Sequence, residues 1–134
     1  MKSNLTIILA AAFVCFSNFQ CQKPKEGKAL TGRLEVKGPC GQFVVSLIKG
    51  KMDHALLQAS WTDSSTGKAY KNVFAVGNSC RFPVNDMNAG DEFLFPIGGK
   101  PQNCMVCMMY YPTPDKKVLI TVTKILKLTS QGQP

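Results

Sequence analysis

From Leu30 onward the apolar residues come in short alternating runs, and Gly, Pro, Asn or Asp separates nearly every run from the next. A run of roughly 4–8 residues bounded by turn residues is long enough for a strand; an amphipathic helix needs about 10–12. Leu30-Thr31-Gly32-Arg33-Leu34-Glu35-Val36-Lys37 alternates, which predicts Leu30, Leu34 and Val36 on one face and a bend at Gly32. Gly38-Pro39-Cys40-Gly41 reads as a turn. Gln42–Lys49 reads as a second strand, with Phe43, Val45 and Leu47 on one face and Val44 and Ile48 on the other. Asp53 is placed to cap a single helical turn before a strand that runs from Leu57 to Thr62 through the only tryptophan, Trp61. Asp63 to Lys68 is a hairpin loop, and Ala69–Val76 the returning strand. Further strands are expected at Asp91–Ile97, through Cys104–Tyr111, and from Val118 to Leu128, the last with Val118, Ile120 and Val122 on one face. This pattern predicts an all-β domain, a small five- to seven-stranded barrel of OB type, with a β-sandwich as the alternative.

The start of the chain sets the compartment. Met1-Lys2 leads into the apolar run Leu5–Phe16, a basic region followed by a core too short to cross a bilayer. Residues 1–20 are therefore expected to be a signal peptide. Cys21 heads a polar spacer, residues 21–29, in the manner of a bacterial lipoprotein, although Gln20 stands where a small residue is usual. Cysteine parity supports lipidation. Removing the leader leaves Cys21, Cys40, Cys80, Cys104 and Cys107, and acylating Cys21 leaves four, an even number suited to an oxidising compartment. The remaining organisation is one domain, 30–129, and a short polar tail, 130–134.

Several strings occur together: Gly32-Arg33-Leu34-Glu35-Val36, Cys40-Gly41-Gln42-Phe43-Val44-Val45, Trp61-Thr62-Asp63, Thr66-Gly67-Lys68, Asn72-Val73-Phe74, Gly90-Asp91-Glu92-Phe93 and Cys104-Met105-Val106-Cys107. In this the chain resembles a group of small secreted, lipoprotein-like four-cysteine β-domain proteins of Bacteroidota, over nearly its whole length after the leader. The resemblance implies an exported, disulfide-bearing β domain and brings no activity with it.

The segment Cys104-Met105-Val106-Cys107-Met108-Met109-Tyr110-Tyr111 offers the richest chemistry. On a regular strand Cys104 and Cys107 point to opposite faces, which favours bridges to distant Cys40 and Cys80 over a local pair. Four cysteines still permit three connectivities. Met105, Cys107 and Met109 would share a face as a thioether–thiolate–thioether set suited to Cu(I), with Met52, His54 and Met87 as possible additions, so copper is the alternative cofactor. A thiol–disulfide oxidoreductase is the second alternative, but its CxxC belongs at a helix N-terminus, and this one reads as strand.

His54 is the only histidine, no nucleophile motif accompanies it, and Asp91-Glu92 reads as a charged strand entrance, so no catalytic residue is assigned. Sixteen Lys and Arg stand against eight Asp and Glu in the whole chain. Spread along the chain, that excess reads first as a solvated basic surface, with attraction to anionic partners as the functional alternative. Trp61, Tyr70, Arg81 and Tyr110 are the candidate ligand face. Phe74, Tyr111, Lys68 and Lys71 would extend it into the aromatic and basic surface with which OB barrels bind nucleic acid. An exported protein meets little nucleic acid, so an acidic glycan or peptide is the expected ligand, with a membrane reached only through the lipid on Cys21. The expected location is the periplasm, outer membrane or surface of a Gram-negative cell, or the medium.

Overall fold

The first strand shows how the sheet is built. The computed structural model describes residues 29–101, residue 107 and residues 109–127; the leader, Cys21, Cys104, Met105 and the 130–134 tail lie outside them. Strand β1 (Leu30–Lys37) pairs antiparallel with β2 (Phe43–Lys49), and the register slips between Thr31 and Gly32 and again between Leu34 and Val36. The first slip leaves Ile48 of β2 without a partner in the ladder, next to Gly32, where a Cβ would lie 2.8 Å from Val45 Cγ1 and 2.9 Å from Phe95 Cε1. The second corrects the alternation. Glu35 is an extra residue in the ladder, so Leu34 faces the core while Val36 turns to the outer face.

Strand β3 (Gln58–Thr62) and β4 (Ala69–Val76) form the expected hairpin, and β4 also pairs with β2. Strand β5 (Glu92–Phe95) returns to lie beside β1. The spatial order is β3–β4–β2–β1–β5–β7, so β4 and not β3 lies beside β2, and β5 returns to the far side of β1. Strand β6 (Lys117–Val118) runs parallel to β4, and β7 (Lys124–Leu126) runs antiparallel to β5. The final segment therefore meets both ends of the sheet. The fold is all-β, seven strands in one sheet that does not close on itself, an arrangement that fits an open barrel or a sandwich. Among the described residues, no helix is long and apolar enough to cross a membrane.

Two expectations change here. The Val118–Leu128 strand is split, because the chain must leave β4 and cross to β5 between residues 119 and 123. And the described part of the cysteine–methionine segment, Cys107 and Met109–Tyr111, is not strand. The β4 edge it would need is occupied by β3 and then β6, and Pro112 and Pro114 remove backbone donors just beyond it.

Asn78 carries the ladder across the gap. Ala75 N donates to Lys116 O and Gly77 N to Val118 O, continuing the parallel register. At the next step the buried Asn78 side chain replaces backbone: its Nδ2 donates to Ile120 O at 2.7 Å and its Oδ1 accepts from Ile120 N at 3.0 Å. On the other side Gly98 N donates to Leu119 O and Thr121 N to Pro96 O.

The main core contains Leu30, Leu34, Phe43, Val45, Phe74, Val76, Phe93, Phe95, Val118 and Ile120, plugged by Met52, Phe82 and Met87 from the connections. Phe82 stacks on Phe43 and meets Phe93 edge-on, so the long β4–β5 connection is pinned by aromatic contacts. Apart from it, Val36, Val44 and Val73 form a second small cluster.

Candidate functional site

The β1–β2 turn is a single 3₁₀ turn, Pro39–Gly41, in which Cys40 (φ 60°) and Gly41 (φ 79°) both take the left-handed conformation. Gly41 sits so close to Ser79 that a Cβ would lie 2.7 Å from its hydroxyl oxygen. Cys40 is bonded to Cys107, 67 residues away, with Cα atoms 5.3 Å apart. An intramolecular bridge of this kind is what an oxidising, exported compartment allows. Cys80 is disulfide-bonded as well.

The bridge ties the turn to the segment that leads into β6, and a groove of about 340 Å³ lies between them. Gln42, Ser79, Thr113 and Lys117 provide its polar groups, and Tyr110 and Tyr111 its aromatic wall. Gln42 Nε2 donates to Met109 O at 2.9 Å. Its Oε1 is buried and has no hydrogen-bond partner. Tyr110 is 90% exposed at the rim.

Tyr111 also reaches beyond the groove. It packs with Trp61 and Tyr70 on the Val36–Val44–Val73 cluster, and its hydroxyl donates to Asp63 Oδ2 at 3.2 Å and meets Ser65 Oγ at 2.9 Å. Asp63 is 1% exposed. Burial works to raise the pKa of its carboxyl. The Ser65 hydroxyl and backbone N–H, with the Tyr111 and Thr66 hydroxyls, outweigh that and hold it below the usual value of 3.8.

The four ligand-face residues occupy three places. Trp61 and Tyr70 are cross-strand neighbours with rings stacked 5.9 Å apart, half-buried on the outer cluster, and Lys68 Nζ sits 5.0 Å from the Tyr70 centroid. Tyr110 belongs to the groove. Arg81 lies at a second cavity with Asn78, Gly99, Lys100 and Thr121. Of the proposed extensions, Phe74 is fully buried in the core. Met52 and Met87 are also core, while His54 is exposed on the turn that Asp53 caps through Ala55 N. Cys107 is bonded to Cys40 and so is no thiolate in this state; Met109 is 58% exposed, and Met105 lies outside the described residues. Among the described residues, no three His, Cys, Asp or Glu side chains cluster as a metal site.

Sequence reasoning missed Gln42, Asp63, Tyr111 and Asn78 as positioning residues. The Asp63-Ser64-Ser65-Thr66 string does announce a hydroxyl-rich turn. Nothing in the sequence says that Tyr111 reaches it.

Compared with known family models, curated proteins and solved structures, the chain matches none.

Proposed function

We propose that this protein is an exported binding module of a Gram-negative cell envelope, anchored through an acylated Cys21, whose groove takes an acidic glycan. Disulfides hold it: Cys40 is bonded to Cys107, and Cys80 is disulfide-bonded as well. One observation carries the binding reading. Tyr110 leaves its whole ring to solvent on a backbone fixed on both sides, by the Cys107 bridge and by Tyr111 on Asp63. A large aromatic in that position contributes almost no burial to the fold, while its rigid backbone reduces the entropy lost on binding.

The groove's Ser79, Thr113 and Gln42 can hydrogen-bond sugar hydroxyls, and Lys117 attracts an acidic group. A peptide adding as a strand needs an open sheet edge, and the β4 edge at the groove is taken by β6. A copper site that uses the Cys107 thiolate would first need the Cys40–Cys107 bridge reduced.

The test is a screen of acidic and neutral glycans and acidic peptides against wild type and Tyr110→Ala. An acidic glycan is expected to bind, with affinity at least tenfold weaker in Tyr110→Ala and an unchanged urea midpoint. Equal binding by the variant, preference for peptide, or no acidic glycan bound would overturn the reading.

A further inference from the structure

We infer that the second cavity is an oxyanion subsite, in which Arg81 and Lys100 receive a sulfate, phosphate or carboxylate group. The cavity measures about 170 Å³. Liquid water occupies about 30 Å³ per molecule. The space thus equals about six waters, enough for one oxyanion with part of its hydration.

Its lining is chemically one-sided. Arg81 and Lys100 are the charged members, and no Asp or Glu joins them. Among the described residues, neither cation forms an ion pair or a side-chain hydrogen bond; Arg33, with Glu92 and Glu35, is the paired exception. An arginine fork and a lysine point charge on one small cavity are the usual donors to oxyanions. The Gly99 and Lys100 amide N–H groups also have no acceptor among the described residues.

The floor is held by hydrogen bonds. Asn78 Nδ2 and Oδ1 each pair with Ile120, which leaves one Asn78 N–H spare; Gly98 N is fixed to Leu119 O, and Thr121 Oγ1 donates to Gly98 O at 3.0 Å. A Cβ on Gly99 would stand 3.0 Å from Asn78 Nδ2, so the absence of a side chain at 99 lets this turn lie against the floor. Arg81, Lys100 and the second Asn78 N–H thus bring spare donors from residues that line one cavity. The subsite shares no lining residue with the Tyr110 groove, so it stands or falls separately from the glycan reading.

The full chain, ¹⁵N-labelled, is titrated with sodium sulfate and sodium phosphate at constant ionic strength set by sodium chloride. Saturable amide shifts are expected at Gly99, Lys100 and Thr121, with the midpoint at least tenfold weaker in Arg81→Gln/Lys100→Gln. Both side chains are exposed, and an unchanged urea midpoint checks that the variant is folded. Parallel titrations with glucuronate and a sugar sulfate identify the source. Tighter binding than the inorganic ion assigns the group to a glycan and equal binding to the free ion, and either supports the subsite. Non-saturating shifts, shifts unchanged in the double variant, or equal shifts at the distant Lys68 and Lys71 would overturn it.

Discussion

Removing the Asn78 side chain should break the β4–β6 ladder at the step where a side chain continues it instead of backbone. In Asn78→Ala the N–H and C=O of buried Ile120 lose their partners, at 3.0 and 2.7 Å. A buried polar group left unpaired costs about 1–3 kcal/mol, so two groups set a range of roughly 2–6 kcal/mol. The small cavity borders both Asn78 and Ile120, and water can enter from it to replace part of the loss. That places the expectation at the lower end, about 2–3 kcal/mol. A domain of about 100 residues loses roughly 4–8 °C of Tm per kcal/mol, which makes the shift about 10–20 °C.

Urea unfolding followed by fluorescence of the single Trp61 measures this directly, because Trp61 stacks on Tyr70 in the folded state. Asn85→Ala, at an exposed asparagine of the same connection, is the control and should change stability by less than about 0.5 kcal/mol. Asn78→Asp keeps the acceptor for Ile120 N–H but sets a carboxylate oxygen against Ile120 O, so at pH 7 it should destabilise at least as much as alanine. A loss below about 1 kcal/mol in Asn78→Ala, with an unchanged slope against urea, would refute the argument that this side chain completes the ladder.

Two further outcomes test the anchors of the groove. Asp63 has a folded pKa below its unfolded value, so its carboxylate stabilises the fold above pH about 4 and that contribution is lost as pH falls through the folded pKa. Asp63→Asn should therefore be less stable at pH 7, with the gap to wild type closing below pH 4; urea midpoints from pH 7 to 2 check it, and a gap independent of pH would refute it. Removing the bridge as Cys40→Ala/Cys107→Ala frees a loop of 67 residues' separation, for which chain entropy predicts a loss of about 4 kcal/mol by urea unfolding.

The strands were legible because burial imposes a period of two wherever both neighbours are backbone. Phe43, Val45 and Leu47 face the core, and Val44 the outer cluster, as alternation requires. The pattern failed at Val36, where a bulge at Glu35 adds a residue that no hydrophobicity count reveals. It failed again at 119–123, because a strand that changes partners keeps its inward residues, Val118 and Ile120, while losing its regular ladder. The ligand-face residues were readable as types but not as a place. Trp61 and Tyr70 are joined by the hairpin register, whereas Arg81 and Tyr110 depend on where two long connections travel, which local pattern does not encode.

The path of the segment from Cys107 to Lys117 is set by contacts at intervals of two to four residues, not by strand pairing. Cys107 is bonded to Cys40, Met109 O accepts from Gln42, and Tyr111 is held by Asp63 and Ser65. Further on, Asp115 N donates to Gln58 Oε1, and Lys117 enters β6. The anchors come from the β1–β2 turn, the β3–β4 loop, β3 and β4, so four separate parts of the fold determine one wall of the groove. Tyr110 falls between two of these anchors and has its own side chain free. Such a segment can carry many side chains at position 110 without cost to the fold, because neither neighbouring anchor depends on it. The scaffold thus separates stability, carried by residues 107, 109 and 111, from contact with a ligand, carried by residue 110.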